Sequence, residues 1–110
     1  MESAMYFLVN SSIKMGPGKL AGQVGHAAIE SYIHSPKEIL NNWKSTGSAK
    51  IVLTIDEKSI LNLHSKYPEI THIIRDLGRT QLEPDTLTVM SFNVMKKGTI
   101  PELFDIKLHK

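Results

Sequence analysis

The sequence contains no cysteine. That absence removes disulfides, thiolate metal sites and a cysteine nucleophile together, and it suits a reducing cytoplasmic location. Aromatic residues are scarce, with one Trp, three Tyr and three Phe in 110 residues. A single-strand binder built on many aromatic stacking platforms is therefore not expected. No apolar run approaches the length of a membrane span. The opening MESAMYFLVN carries no basic region ahead of its strand-length apolar run, so neither a signal peptide nor a membrane partner is expected. Neither sign of charge dominates: 13 Lys and Arg against 11 Asp and Glu leave a net charge of +2. A nucleic-acid partner is permitted by that balance without being demanded. No internal repeat, low-complexity tract or linker divides the chain. With 41% apolar residues, it has the material for a single domain over residues 1–110 with a real core.

The pattern of elements follows from local chemistry. MYFLVN (Met5 to Asn10) is a short continuous apolar run, as expected of a strand buried on both faces. A Gly-Pro-Gly turn follows, in which Gly16 serves as N-cap and Pro17 as the first helical residue, where its missing N–H costs nothing. The helix is expected to run to about His34, and Pro36 starts a second helical segment through Trp43. Gly47 breaks that segment. AKIVLTI (Ala49 to Ile55) reads as a second strand, Asp56 to Tyr67 as a helix with acidic residues in its first turn, THII (Thr71 to Ile74) as a brief third strand and LTVMSFNV (Leu87 to Val94) as a fourth. The tail KKGTIPELFDIKLHK is ambiguous between a short helix and a strand. Alternating strands and helices predict an α/β fold, a layered sandwich over a small, mostly parallel four-stranded sheet. The short link between the third and fourth strands makes that pair less surely parallel.

Two polar constellations stand out. On a 100° wheel, Leu20, Ala21, Val24, Ala27, Ala28 and Tyr32 of the first helix form the face expected to meet the sheet, with Gly25 and the alanines keeping the contact close. Lys19, Gln23, His26 and Glu30 form a separate stripe at i+3 and i+4 spacing. An amphipathic helix always has a polar face, so the stripe alone means little. A lysine in the first turn, however, opposes the helix dipole by roughly 0.3–1 kcal/mol. Glycines at a strand-to-helix turn also expose N–H groups that bind anions. Lysine and helix terminus together make sense if both face a phosphate or a developing oxyanion. The spacing is not that of a Walker motif. The second constellation, IIRDLGRTQ, gathers Arg75, Asp76, Arg79, Thr80 and Gln81 just after a strand. Alone it could be a surface turn with a weak Asp–Arg pair. If the first and third strands are parallel, both loops lie beyond carboxyl ends of strands, where open α/β sheets bind ligands. His34, His64, His72 and His109 show no metal-ligand spacing and read as surface or partly buried residues, so no metal or cofactor is expected. Ser11 and Ser12 lack a nucleophile-elbow context and suit capping and turn roles. Trp43, near Ile39 and Leu40, reads as core.

In order along the chain, the apolar first strand, KMGPGKLAGQVGHAA, a Trp before KIVL, IRDLGRTQ and LTV resemble the type 2 peptidyl-tRNA hydrolases over roughly Met5 to Val94. The resemblance implies a three-layer α/β/α sandwich with a small mixed sheet, commonly a homodimer. It implies hydrolysis of the ester joining a peptide's carboxyl end to the 3′ ribose of tRNA, with the acceptor end of peptidyl-tRNA as partner. By motif position, Lys19, Asp76 and Thr80 match the family's proposed catalytic residues. Gln23, His26 and Thr88 match positions lining the same site, and Lys14 and Arg79 match basic positions suited to the acceptor end. Gln81 closes the second motif and is assigned with the substrate-binding positions. Pro17 stands where the family usually has a lysine, which removes one positive charge from the loop facing the nucleic acid. The tail TIPELFDIKLHK is compact and aligns poorly.

Ester hydrolysis requires an activated water, stabilisation of the tetrahedral oxyanion and help to the departing ribose oxygen. Without a cysteine or a serine triad, direct attack by water is favoured over a covalent intermediate. On that reading Asp76 orients or deprotonates the water, Thr80 holds it, Lys19 stabilises the oxyanion or a terminal phosphate, and His26 relays a proton or fixes Gln23 or Asp76. No metal is required. Two alternatives stay open at this level: a catalytically inactive tRNA- or protein-binding module on the same scaffold, and another small α/β hydrolase acting on an anionic ester.

Overall fold

The computed structural model describes residues 2–77 and 84–110. Strand β1 (Ser3–Asn10) leads into helix α1 (Pro17–His34), helix α2 (Lys37–Ser45) and strand β2 (Ala49–Ile55). Helix α3 (Glu57–Lys66) then precedes β3 (Thr71–Arg75), β4 (Leu87–Phe92), the two-residue β5 (Met95–Lys96), a 3-10 turn (Pro101–Asp105) and β6 (Lys107–Leu108). The local signals act as expected. Gly16 is the N-cap of α1 with Pro17 in its first turn, and the left-handed Gly47 (φ 107°) follows α2. Asp56 caps α3, its carboxylate accepting from the Ser59 N–H at 3.0 Å and from the Ser59 hydroxyl at 2.7 Å. These bonds hold the Asp56 carboxyl below its ordinary value, the hydroxyl contributing most. The ambiguous tail is both things in turn: a 3-10 turn, then a strand.

The α/β class and the layered arrangement hold, but the sheet is mostly antiparallel and has six strands, not mostly parallel with four. Its order is β3-β4-β1-β2-β6, with β5 beside the start of β1. Among the described residues only β1 and β2 pair in parallel; β1–β4, β1–β5, β2–β6 and β3–β4 are antiparallel. The reason lies in the connections. A parallel neighbour needs a crossover of a dozen or more residues, usually a helix. Between β1 and β2 the chain supplies α1 and α2, whereas only residues 76–86 separate β3 from β4. Strand β4 then inserts between β1 and β3, so those two run in the same direction without touching. Their carboxyl ends therefore share one edge of the sheet.

The continuous apolar run of β1 is buried on both faces. Met5, Phe7 and Val9 pack with Ala27 of α1 and with Leu40 and Trp43 of α2. Leu8 packs with Ile60 and Leu63 of α3 and with Leu103 of the 3-10 turn. Trp43 is core, and its indole N–H is satisfied by the Ala49 carbonyl at 2.9 Å. Helix α1 meets the sheet through a narrower face than the wheel suggested. Leu20, Val24, Ala27 and Ala28 contribute, whereas Ala21 and Gly25 are exposed, and a Cβ on Gly25 would meet nothing within 4 Å. The close approach is instead polar: Ser31 donates to the Phe92 carbonyl at 2.7 Å, and Ser91 donates to the Ala27 carbonyl at 3.1 Å. These two bonds fix the height of α1 over β4 and hence the position of its N-terminal turn. Among the described residues, no helix is long and apolar enough to cross a membrane.

Candidate active site

At the shared edge, α1 delivers Lys19 from its first turn and β3 delivers Asp76 from the residue beyond its end. Lys19 Nζ donates to Asp76 Oδ1 across 57 positions of sequence. Their side chains are 10% and 4% exposed, whereas each of the other described ion pairs, Lys66–Glu102 and Lys97–Glu2, keeps at least a third of both side chains in solvent. Burying two charges costs several kcal/mol of solvation per ion unless geometry and further bonds offset it. Here the offset is incomplete. Among the described residues, Asp76 Oδ2 is buried with no hydrogen-bond partner. A carboxylate oxygen left in that state is an acceptor waiting for a water or a substrate group.

Asp76 is held from both sides by its backbone, its N–H donating to the Thr86 carbonyl at 2.8 Å and its carbonyl accepting from the Asp85 N–H at 2.7 Å. Arg75 braces the same junction from outside, donating to the Asp85 carbonyl at 2.9 Å. Its role is structural support of the loop rather than pairing with Asp76. One turn along α1 from Lys19, Gln23 accepts from the Thr88 hydroxyl at 2.7 Å; that hydroxyl also lies 3.1 Å from the Ile74 carbonyl. A hydroxyl carries one proton, so it serves one of these acceptors at a time. Lys19, Gln23, Asp76 and Thr88 thus form one connected group across α1, β3 and β4.

The other expected residues divide. His26 is exposed on α1, and its side chain forms no hydrogen bond among the described residues. Lys14 is exposed in the turn before α1 and lines a cleft there. Arg79, Thr80 and Gln81 lie outside the described residues. Among the described residues, no three His, Asp or Glu side chains are grouped so as to hold a metal ion.

One supporting residue escaped the motif reading. Asn10, 1% exposed, donates to Glu57 Oε1 and the Leu87 carbonyl, both at 2.9 Å, and accepts from the Ser12 N–H at 2.9 Å. It ties the turn that leads to Lys14 onto α3 and β4. Its signal in the sequence is small: a polar amide closing an apolar strand. Ser12 has the capping role expected of it, accepting from the Glu57 N–H at 3.1 Å.

The fold and site define an α/β protein with a buried, incompletely satisfied ion pair at the carboxyl edge of its sheet, the edge where open α/β sheets bind ligands. Comparison with known proteins gives the family. The model of the family described as Peptidyl-tRNA hydrolase PTH2 matches residues 3–106. A peptidyl-tRNA hydrolase of Saccharolobus islandicus (strain L.S.2.15) is 40% identical, the alignment covering 94% of this chain and 97% of the relative. A peptidyl-tRNA hydrolase of Methanococcus maripaludis (strain C7) is 34% identical, covering 92% and 94% respectively. The chain belongs to the PTH2 family.

Proposed function

We propose that the protein is a peptidyl-tRNA hydrolase that cleaves the ester between a peptide and the 3′ ribose of tRNA by direct attack of water. The observation that carries the mechanism is the unpartnered, buried Asp76 Oδ2 beside Lys19. Oδ2 accepts a proton of the attacking water and orients its lone pair toward the ester carbon. Lys19, already desolvated, turns part of its charge toward the oxygen that becomes the tetrahedral oxyanion, where positive charge counts for more than in water. Gln23 and Thr88 hold the substrate against this pair. Thr80 positions the water, His26 returns a proton to the leaving ribose oxygen from the open side of α1, and Arg79, Gln81 and Lys14 bind the acceptor end. The substrate belongs to translation in the cytoplasm. Ile29 and Ile33, 62% and 63% exposed on the outer face of α1, supply the apolar surface for a homodimer, which light scattering reads directly.

The test is release of free tRNA from N-blocked aminoacyl-tRNA. Wild-type protein is expected to cleave it, and folded Asp76→Ala protein to lose most of the turnover. Binding of intact substrate without cleavage by the wild type would replace this reading with that of an inactive binding module. Near-wild-type cleavage by Asp76→Ala would remove Asp76 from the mechanism.

A further inference from the structure

Beside the first turn of α1 lies a cleft of about 480 Å³. Its floor is apolar, formed by Val9, Ile13, Met15 and Leu20, and Lys14 and Lys110 stand at its margin. The wall opposite the Lys14 turn comes from the tail. Strand β6 pairs antiparallel with β2. The His109 N–H then donates to the Val52 carbonyl at 2.9 Å, and His109 Nδ1 lies 2.7 Å from the Thr54 hydroxyl. His109 is thereby tied to β2 by two bonds, one through its backbone and one through its imidazole, although the residue is exposed. A second hollow shares Ser11, Thr54, His109 and Lys110 with the first and adds Lys107. Among the described residues, no Asp or Glu side chain lines either one.

We infer that this cleft, with the 107–110 segment as one wall, seats unpaired nucleotides at the 3′ end of the substrate's RNA. The inference rests on the hydrolase reading above, which uses Lys14, and extends it to Lys107, His109 and Lys110, which that reading leaves unused. An apolar floor with a fixed imidazole suits the flat face of a base. Three lysines without a carboxylate suit the phosphates between bases. A peptide would find the apolar floor but no use for the lysines. The cleft also lies where the RNA must go. Leu20 and Lys19 are consecutive, one lining the cleft and the other bonded to Asp76. The two sites thus share the first turn of α1, and an ester held at Asp76 leaves its nucleotide side beside that turn.

The test uses a short fluorescent single-stranded RNA with a free 3′ hydroxyl, which no hydrolase step can consume. Anisotropy titrations are run across a salt series on wild type, His109→Ala and the Lys14→Ala/Lys110→Ala double variant. His109→Ala is expected to weaken binding at least about fivefold through lost stacking. The double variant is expected to lower the dependence of log affinity on log salt by about 1.4, two single-strand phosphate contacts at about 0.7 each. The same variants should raise KM for N-blocked aminoacyl-tRNA. Wild-type affinity and slope in both variants, with wild-type protein still cleaving the substrate, would overturn the inference and leave the hydrolase reading standing. A KM defect that varies with the peptide while RNA binding is unchanged would assign the cleft to the peptide and overturn it too. Failure of the wild type both to bind the RNA and to cleave the substrate would sink both readings together.

Discussion

Replacing Lys19 by methionine keeps an unbranched side chain one atom shorter and removes its charge, leaving the carboxylate of Asp76 buried and alone. Breaking one partner of a buried pair typically costs about 3–5 kcal/mol, against about 0–1 kcal/mol for an exposed pair. The exposures of 10% and 4% place this pair with the buried kind. Methionine also relieves the lysine's conflict with the helix dipole, returning about 0.3–1 kcal/mol, so the net loss is about 2–4.5 kcal/mol. At about 2.1 cal/mol/K per residue, the 110 residues give an unfolding entropy near 230 cal/mol/K. Each kcal/mol then shifts Tm by about 4 °C, and the variant should melt about 9–20 °C lower. Asp76→Leu should cost less than Lys19→Met, because the lysine's flexible stem can carry its ammonium toward solvent. The double variant Lys19→Met/Asp76→Leu should recover most of the loss, giving a coupling of at least about 2 kcal/mol. Calorimetry on the four proteins measures it. A Lys19→Met variant within about 4 °C of wild type, with coupling below about 0.5 kcal/mol, would refute the claim that this pair is held out of water.

Two further outcomes concern the frame around the site. Asn10→Ala should cost about 2–3 kcal/mol in urea denaturation, because it abandons the Ser12 N–H, Glu57 and the Leu87 carbonyl at once; it should also raise KM by loosening the turn that carries Lys14. Asp56 has its carboxyl lowered from an ordinary 3.8, first by the Ser59 hydroxyl and then by the Ser59 N–H. Its contribution is therefore present above that ordinary value and lost as pH falls through the lowered one. Asp56→Ala should be less stable than wild type at neutral pH, and denaturation curves of the two should converge in strong acid. Glu102, held low chiefly by the Lys66 ammonium, follows the same sign.

The three helices, the four longer strands and the residue types at the site were legible in the sequence because their causes are local, whereas the two-residue strands β5 and β6 were not. Gly16-Pro17, Asp56 with Ser59, and Gly47 start and stop helices through bonds and dihedrals that span a few residues. The double-sided burial of β1 was written in an unbroken apolar run. The two polar motifs also identified Lys19 and Asp76 one at a time. The tertiary structure decided that they meet. That depended on β4 folding back between β1 and β3, so that β1 and β3 point the same way. Strand order is a competition among long-range pairings, and no periodicity in β4 announces which edge it will join. The packing face of α1 shows the same limit. Hydrophobicity pointed to Ala21 and Gly25, but Ser31 and Ser91 set the contact with bonds to backbone carbonyls on the opposite element. His109 looked idle for a similar reason. Its role comes from Thr54, 55 positions away, and chain folding alone makes them neighbours. Local chemistry determined which groups this protein has to work with; the long-range pairing of strands, settled by total burial and the length of each connection, determined which of them stand together.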